Sequence, residues 1–174
     1  MGGSSGGVPQ PNAPEECTEV SSVDDAQLFG FESELEASLT YIPMAVRFKL
    51  DQCGIKLSLA VWQQLPEHRR RELLHLPCQS DGDIAAYRRI LCALVKECTG
   101  DEPPSISTAA HPPWAADDTP EQITRAATAM GFPSPSSAQW CKLNTLQRFA
   151  LVKLSREGHE YRNLGPALRE FGLL

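Results

Sequence analysis

The chain has 174 residues, a formal net charge of −6 and a hydrophobic content of 41%. This length suits one domain, no stretch approaches the ~18 consecutive apolar residues of a membrane span, and the acidic balance argues against a general nucleic-acid-binding protein. Six cysteines without a pairing pattern are too few for a disulfide scaffold, and no signal peptide is recognisable, so we expect a reduced, cytoplasmic protein that binds neither membrane nor nucleic acid.

Acidic side chains are concentrated at the N-terminus. The first 36 residues carry eight Asp or Glu and no Lys or Arg, whereas the remaining 138 carry 14 acidic and 16 basic side chains. Residues 1–27 are mainly Gly, Ser, Pro, Asn and acidic residues, which cannot bury enough apolar surface to offset the entropy of ordering. We therefore predict a disordered acidic tail over 1–27 and one folded domain over 28–174.

The segment 43–53 fits two kinds of secondary structure. Its residues 46–51 alternate apolar and polar, which is typical of a half-buried strand, whereas Ile42, Val46, Leu50 and Cys53 also fit one face of a helix. The later segment 121–130 has only the helical spacing and is flanked in the same way by a Pro and a Gly. We therefore predict a helix over 43–53. Gly54 would end it, because the residue just beyond a helix often has a left-handed backbone conformation, which glycine adopts most readily.

Further helices follow in the first half of the domain. Pro66 can begin a helix over 67–76, and Ser80 with Asp83 forms a capping box ahead of apolar positions that step by three and four residues. Gly100 stops that helix. Residues 101–118, with four Pro and a lone Trp114, predict a linker.

The second half repeats these signals. Thr119 is a candidate N-cap, Pro120 suits the first position of a helix, and Gly131 suits the position just beyond its end. Later signals are a capping box at Asn144 and Gln147, a stop at Gly158 and a restart at Pro166. The fold class is therefore all-α, with about eight short helices.

An internal duplication accounts for the two similar halves. Repeat 1, about 43–98, and repeat 2, about 120–171, share residues spaced 77 or 78 positions apart, and a later Tyr-Arg pair (Tyr87 and Tyr161) follows at 74. Leucine spacing alone would not pair Pro, Gly, Ser, Trp and Arg together. The two Trp and the two Arg are predicted structural anchors of the repeats: Trp62, Arg70, Trp140 and Arg148.

Candidate chemistry is sparse. His75 and Cys78, with Cys92 and Cys98, could supply metal ligands, but a zinc site usually has two close ligand pairs, and only one His-x-x-Cys is present. Buried structural cysteines are the favoured interpretation. No nucleophile motif, phosphate loop or dinucleotide fingerprint occurs, which lowers the expectation of an enzyme.

A partner surface is predicted on the first helix and its exit. Arg47, Lys49, Asp51 and Lys56 should lie on the solvent side, and the matching positions of repeat 2 have lost these charges. If these charges had only a structural role, we would expect both repeats to keep them. The asymmetry favours a partner at the first copy, and the alternative is ordinary drift of a surface.

The segment from Ile42 to Ser58, closing on Trp62, resembles the bacterial nitrate-reductase-associated protein family. Four further segments are similar to it as well: Phe29-Gly30-Phe31-Glu32, Leu73-x-x-x-Pro77-Cys78, Tyr87-Arg88 and the late Gln147-Arg148-Phe149-Ala150-Leu151-x-Lys153-Leu154. The resemblance covers about 28–174.

This resemblance implies a role rather than a reaction. Genes of the family typically lie beside those for assimilatory nitrate reductase and for synthesis of its molybdopterin cofactor, and the family has no established catalytic residues. It implies a non-enzymatic factor, without a cofactor of its own, that has nitrate reductase as partner and assists its assembly or maturation. Two alternatives remain open: a metal or molybdopterin carrier that uses Cys78, His75 and nearby thiols, and a small enzyme of cofactor synthesis.

Overall fold

The computed structural model describes residues 28–35, 39–156 and 161–174, so the predicted tail over 1–27 and the predicted stop at Gly158 lie outside it. Within these ranges the chain is all-α, as predicted, apart from one isolated bridge between Ile55 and Ser105. The described helices are α1 (Met44–Gln52), α2 (Leu59–Gln64), α3 (Glu67–His75), α4 (Asp81–Thr99), α5 (Glu121–Ala129), α6 (Ser137–Lys142), α7 (Thr145–Leu154) and α8 (Leu164–Glu170), with 3₁₀ helices at Gly30–Leu35 and Pro113–Ala115. None of them has both the length and the apolar character needed to cross a bilayer.

The ends of α1 and α5 confirm that 43–53 is a helix. Gly54 follows α1 with a φ of +66°, and the amide of Ile55 donates to the carbonyl of Leu50 at 3.0 Å. Gly131 follows α5 with a φ of +74°, and the amide of Phe132 donates to the carbonyl of Ala127 at 2.9 Å. Both helices therefore end in the same left-handed turn, which satisfies carbonyls that have no partner inside the helix.

The predicted capping boxes are present. The hydroxyl of Ser80 accepts from the amide of Asp83 at 3.2 Å, and the side chain of Asn144 accepts from the amide of Gln147 at 2.8 Å. A third box, which was not predicted, joins Ser136 to Gln139 at the start of α6.

Two predicted helix starts are wrong. Pro120 is the N-cap of α5, and the hydroxyl of Thr119 instead donates to the carbonyl of Pro135 at 3.1 Å. The last helix begins at Leu164, so Pro166 lies in its first turn. An amide in the first turn has no intrahelical acceptor, and a proline there costs no hydrogen bond.

Helix α7 lies between two hydrophobic clusters. Its residues Leu146, Phe149 and Ala150 pack into a cluster built mainly from α1 to α4. Leu151 and Val152 pack into a second cluster with α5, α6 and α8. The two predicted repeat units are thus joined through one shared helix.

The predicted linker over 101–118 packs against the first half. The amide of Lys56 donates to the carbonyl of Pro104 at 2.9 Å, and the amide of Ile106 donates to the carbonyl of Gly54 at 2.9 Å. Trp114, in the second 3₁₀ helix, meets the ring of Phe149 edge-on with centroids 4.9 Å apart. The segment therefore packs as part of the folded domain.

The predicted anchors make matching contacts. The indole of Trp62 and the guanidinium of Arg70 both donate to the carbonyl of Leu39 at 2.8 Å. In the second half, Trp140 and Arg148 both donate to one carbonyl, that of Ala116, at 2.8 and 3.5 Å.

The Tyr-Arg pairing of the two repeats does not hold at the level of structure. Tyr87 is buried inside α4, whereas Tyr161 precedes α8 and has a φ of +44°. The duplication stays a prediction.

Candidate functional site

An open groove of about 720 Å³ lies beside the C-terminal half of α1. Its other walls are the loop after α1, the start of α4, the segment that leads to Trp114, and the C-terminal end of α7. The floor is largely apolar and includes Ile42, Ile55, Ile84, Ile106 and Trp114.

The rim of the groove is cationic. Among the described residues that line it, the charged ones are Arg47, Lys56, Lys153, Arg156 and a single carboxylate, Asp51. Three of the predicted surface residues (Arg47, Asp51 and Lys56) therefore lie together here, with two cations from α7 and its exit. The acidic excess of the chain lies in its first 36 residues, whereas the remaining 138 carry 16 basic and 14 acidic side chains, and four of those basic side chains line the groove.

Lys153 and Asp51, which both line the groove, form an ion pair. The ammonium lies 2.5 Å from a carboxylate oxygen of Asp51, and their side chains are 15% and 24% exposed. The ammonium also lies 4.9 Å from the ring centroid of Phe149, within the range of a cation–π contact. Burial lowers the pKa of Lys153, and Asp51 partly opposes that shift. The pair fixes α7 against α1.

The other three cations face solvent. Arg47, Lys56 and Arg156 are exposed. The guanidinium of Arg47 uses its Nε to donate to the carbonyl of Ile42 at 2.9 Å, which holds the side chain at the rim. With Asp51 already paired to Lys153, these three charges are the ones that a ligand would meet first.

The prediction that Lys49 lies on this surface is wrong. Lys49 is 1% exposed, and its ammonium donates to the carbonyls of Leu74 and Leu76 at 2.7 and 2.6 Å. The alternation of charge in 46–51 would place Arg47, Lys49 and Asp51 on one face of a strand, but a helix turns 100° per residue and carries Lys49 inward. There it satisfies carbonyls at the C-terminal end of α3, where a positive charge is favoured.

The suggested metal ligands are not brought together. His75 is exposed, whereas Cys78 is buried. In the described ranges no three His, Cys, Asp or Glu side chains are grouped so that they could hold a metal ion. Burial raises the pKa of the Cys53 thiol to about 11, which disfavours the thiolate that a nucleophile or metal ligand requires.

Two parts of the groove were missed from the sequence. Lys153 was noted only as part of the family resemblance, and Trp114 only as part of a linker. Asp51 and Lys153 are 102 positions apart, and neither lies in a local motif that refers to the other. Only the packing of α7 against α1 brings them together.

Fold and groove together define a small all-helical protein with a concave, cation-rimmed surface. The chain belongs to the family described as conserved nitrate reductase-associated protein, whose model matches residues 28–171, and the resemblance seen in the sequence is thereby confirmed. The family description points to association with nitrate reductase. No curated protein and no solved structure matches the chain.

Proposed function

We propose that the protein is a non-enzymatic accessory factor that binds nitrate reductase in the cytoplasm and assists its assembly or maturation. The observation that carries this proposal is the family match over 28–171, because the family description names an association with that enzyme.

The groove supports a binding role. Protein interfaces commonly have an apolar centre and a polar rim, and charge complementarity at the rim speeds association and selects the partner. The groove beside α1 has both parts, with isoleucines and Trp114 on the floor and exposed cations at the edge.

Maturation is the step at which such a factor would act. The reductase type implied by the resemblance carries a molybdopterin guanine dinucleotide and an iron–sulfur cluster. A small helical protein that holds the apo-enzyme open while a cofactor enters would need a surface for the enzyme and no chemistry of its own.

The proposal is tested by removing the gene from nitrate-grown cells and purifying the reductase. We expect the reductase polypeptide to be present with a low content of molybdenum cofactor, and a tagged copy of the protein to capture it from wild-type cells. Fully loaded and active reductase in the deletion strain would overturn the proposal.

The same tagged protein tests the carrier alternative. A carrier should contain metal or pterin after purification, whereas an assembly factor should contain neither in stoichiometric amount. Among the described residues, His75 is exposed, Cys78 is buried and no three His, Cys, Asp or Glu side chains are grouped so that they could hold a metal ion, so the carrier hypothesis gains no support from them.

A further inference from the structure

We propose that the groove beside α1 is a docking site for an extended acidic peptide segment of a partner protein, with apolar residues spaced between its carboxylates. The chemistry of the occupant is argued from the groove itself. Only the identification of that partner as nitrate reductase rests on the proposed function.

Charge complementarity selects an acidic segment. Arg47, Lys56 and Arg156 are exposed at the rim, while the one lining carboxylate, Asp51, is held 2.5 Å from Lys153. A basic peptide would meet only repulsion from the rim. An acidic peptide meets three rim cations there, whereas the acidic excess of the chain lies in its first 36 residues.

The apolar floor selects a segment that is not uniformly charged. Ile106 is a large apolar side chain left 39% exposed, and it lies in the groove. A side chain of similar character packed on it would remove apolar area from water. Alternation of acidic and apolar residues in an extended peptide puts one set of side chains on the floor and the other at the rim.

An open backbone edge favours an extended peptide. The bridge between Ile55 and Ser105 uses the carbonyl of Pro104 and the amide of Ile106. In an antiparallel pair, neighbouring peptide groups point to opposite sides, so an extended backbone beyond Ile106 would turn the amide and carbonyl of Ser107 away from the bridge. Ser107 lines the groove, and within the described ranges its backbone groups have no hydrogen-bond partner. A peptide strand could pair there.

A polar group in the groove wall is also unsatisfied. The side-chain oxygen of Gln52 is buried and has no hydrogen-bond partner among the described residues, although Gln52 lines the groove. Buried acceptors are usually paired. A peptide N–H that reached this oxygen would supply the missing hydrogen bond.

Binding of a synthetic peptide to the purified full chain tests the proposal. The probe is a fluorescent peptide in which Glu and Val alternate, and the control peptide has Lys in place of Glu. Measured by fluorescence polarisation, the acidic peptide should bind, the basic peptide should not, and binding should weaken as salt rises from about 50 mM to about 300 mM because rim charges become screened.

Matched variants locate the site. Replacing Arg47, Lys56 and Arg156 with Ser should weaken acidic-peptide binding by about tenfold, since each rim charge contributes a modest amount. Replacing Arg69, Arg71 and Lys96 with Ser removes the same charge from exposed positions on α3 and α4 and should leave the affinity within about twofold. In a second groove variant, Ile106→Glu places a carboxylate on the floor and should also weaken binding.

Three outcomes would overturn the proposal: no binding of the acidic peptide, equal binding of both peptides, or equal loss in the groove and control variants. The chain's own N-terminal segment is the competing occupant, because its residues up to 36 carry eight acids and no base. If changing Glu15, Glu16, Glu19, Asp24 and Asp25 to their amides tightens peptide binding by more than about fivefold, that segment competes for the groove and is its occupant in the intact chain, which is a fourth outcome against an external partner.

The peptide experiment and the cellular experiment fail separately. If the peptide binds at the groove but deleting the gene leaves the reductase fully active, the proposed accessory function is overturned and the docking site is retained. A reductase that depends on the protein while the peptide does not bind overturns the docking site alone.

Discussion

At the scale of single residues, Lys49 shows how a charge can be structural. Its ammonium donates to two carbonyls at the end of α3 and lies 5.9 Å from the ring centroid of Tyr87. A buried carbonyl that loses a charged donor keeps its desolvation cost, so removal of the ammonium is expensive.

We expect Lys49→Met to lower the free energy of unfolding by about 2–3 kcal/mol, because Met fills a similar volume but donates no hydrogen bond. Urea denaturation followed by circular dichroism measures the change. The control is Lys56→Met at an exposed position, which should shift the value by less than about 0.5 kcal/mol. Equal effects of the two substitutions would contradict a structural role for Lys49.

Glu32 is a second buried charge, and it acts on the start of α1. Its carboxylate accepts from the amide of Met44 at 2.8 Å, where the N-cap is Pro43 and supplies no side-chain bond. Burial raises the pKa of Glu32, and the hydrogen bonds from Met44 and Phe29 oppose that shift only in part. The folded state therefore holds this proton more tightly than the unfolded chain.

This difference between the folded and unfolded pKa values makes the contribution of Glu32 to the free energy of unfolding depend on pH. Because the folded pKa is raised, the contribution of Glu32 to stability falls as the pH rises from the unfolded value through the folded value. Glu32→Gln keeps an acceptor for the amide of Met44 and does not titrate. We expect the stability of the wild type relative to this variant to fall as the pH is raised from about 4.5, the ordinary value for a Glu side chain, towards neutrality, measured by urea denaturation. A flat difference across that range contradicts the prediction, and the exposed Glu121→Gln serves as the control.

At the scale of elements, the Trp-Arg anchors differ in how completely they are bonded. Arg148 is buried and donates to the carbonyls of Trp140, Cys141 and Leu143 as well as to that of Ala116. Arg70 donates to Leu39, and its Nε is buried without a partner among the described residues. Loss of the Arg148 side chain would therefore break more hydrogen bonds to backbone carbonyls than loss of the Arg70 side chain.

We expect Arg148→Met to lower the free energy of unfolding by about 3 kcal/mol and Arg70→Met by about 1 kcal/mol, since the first leaves more buried carbonyls unpaired. Parallel urea titrations of the two variants measure the difference. A larger loss for Arg70→Met would show that these hydrogen bonds do not govern stability at the two sites, and the exposed Arg125→Met gives the baseline.

Local signals predicted the elements well, and their long-range arrangement poorly. Capping boxes at Ser80 and Asn144 and the glycine stops depend on a few neighbouring residues, so the sequence suffices for them. The inward turn of Lys49 follows from helical periodicity, once 43–53 is taken as a helix. The groove does not follow from any local pattern, because α7 and the segment before Trp114 reach α1 only through tertiary packing.

At the scale of the whole molecule, charge is segregated. The N-terminal 36 residues hold eight acids without a base, while the groove rim gathers cations from α1, its exit and the end of α7. A surface of this kind attracts acidic partners by long-range steering, which depends on salt and changes association rates more than the stability of the fold.

The exposed cations at the groove rim should also affect nitrate reductase in the cell. Replacing Arg47, Lys56 and Arg156 together with Ser should leave the fold in place, because exposed charges contribute about 1 kcal/mol or less each and Arg47 gives up one further hydrogen bond, to the carbonyl of Ile42, worth about 1 kcal/mol. Lys49 is kept, since its loss would destabilise the domain and obscure the result. We expect cells that carry the triple variant to accumulate normal amounts of the protein and yet to show reduced nitrate reductase activity and slower growth on nitrate. The control variant with Arg69, Arg71 and Lys96 changed to Ser should support wild-type growth, since its cations lie outside the groove. If the groove variant accumulates normally and also supports full growth, this surface does not serve the reductase.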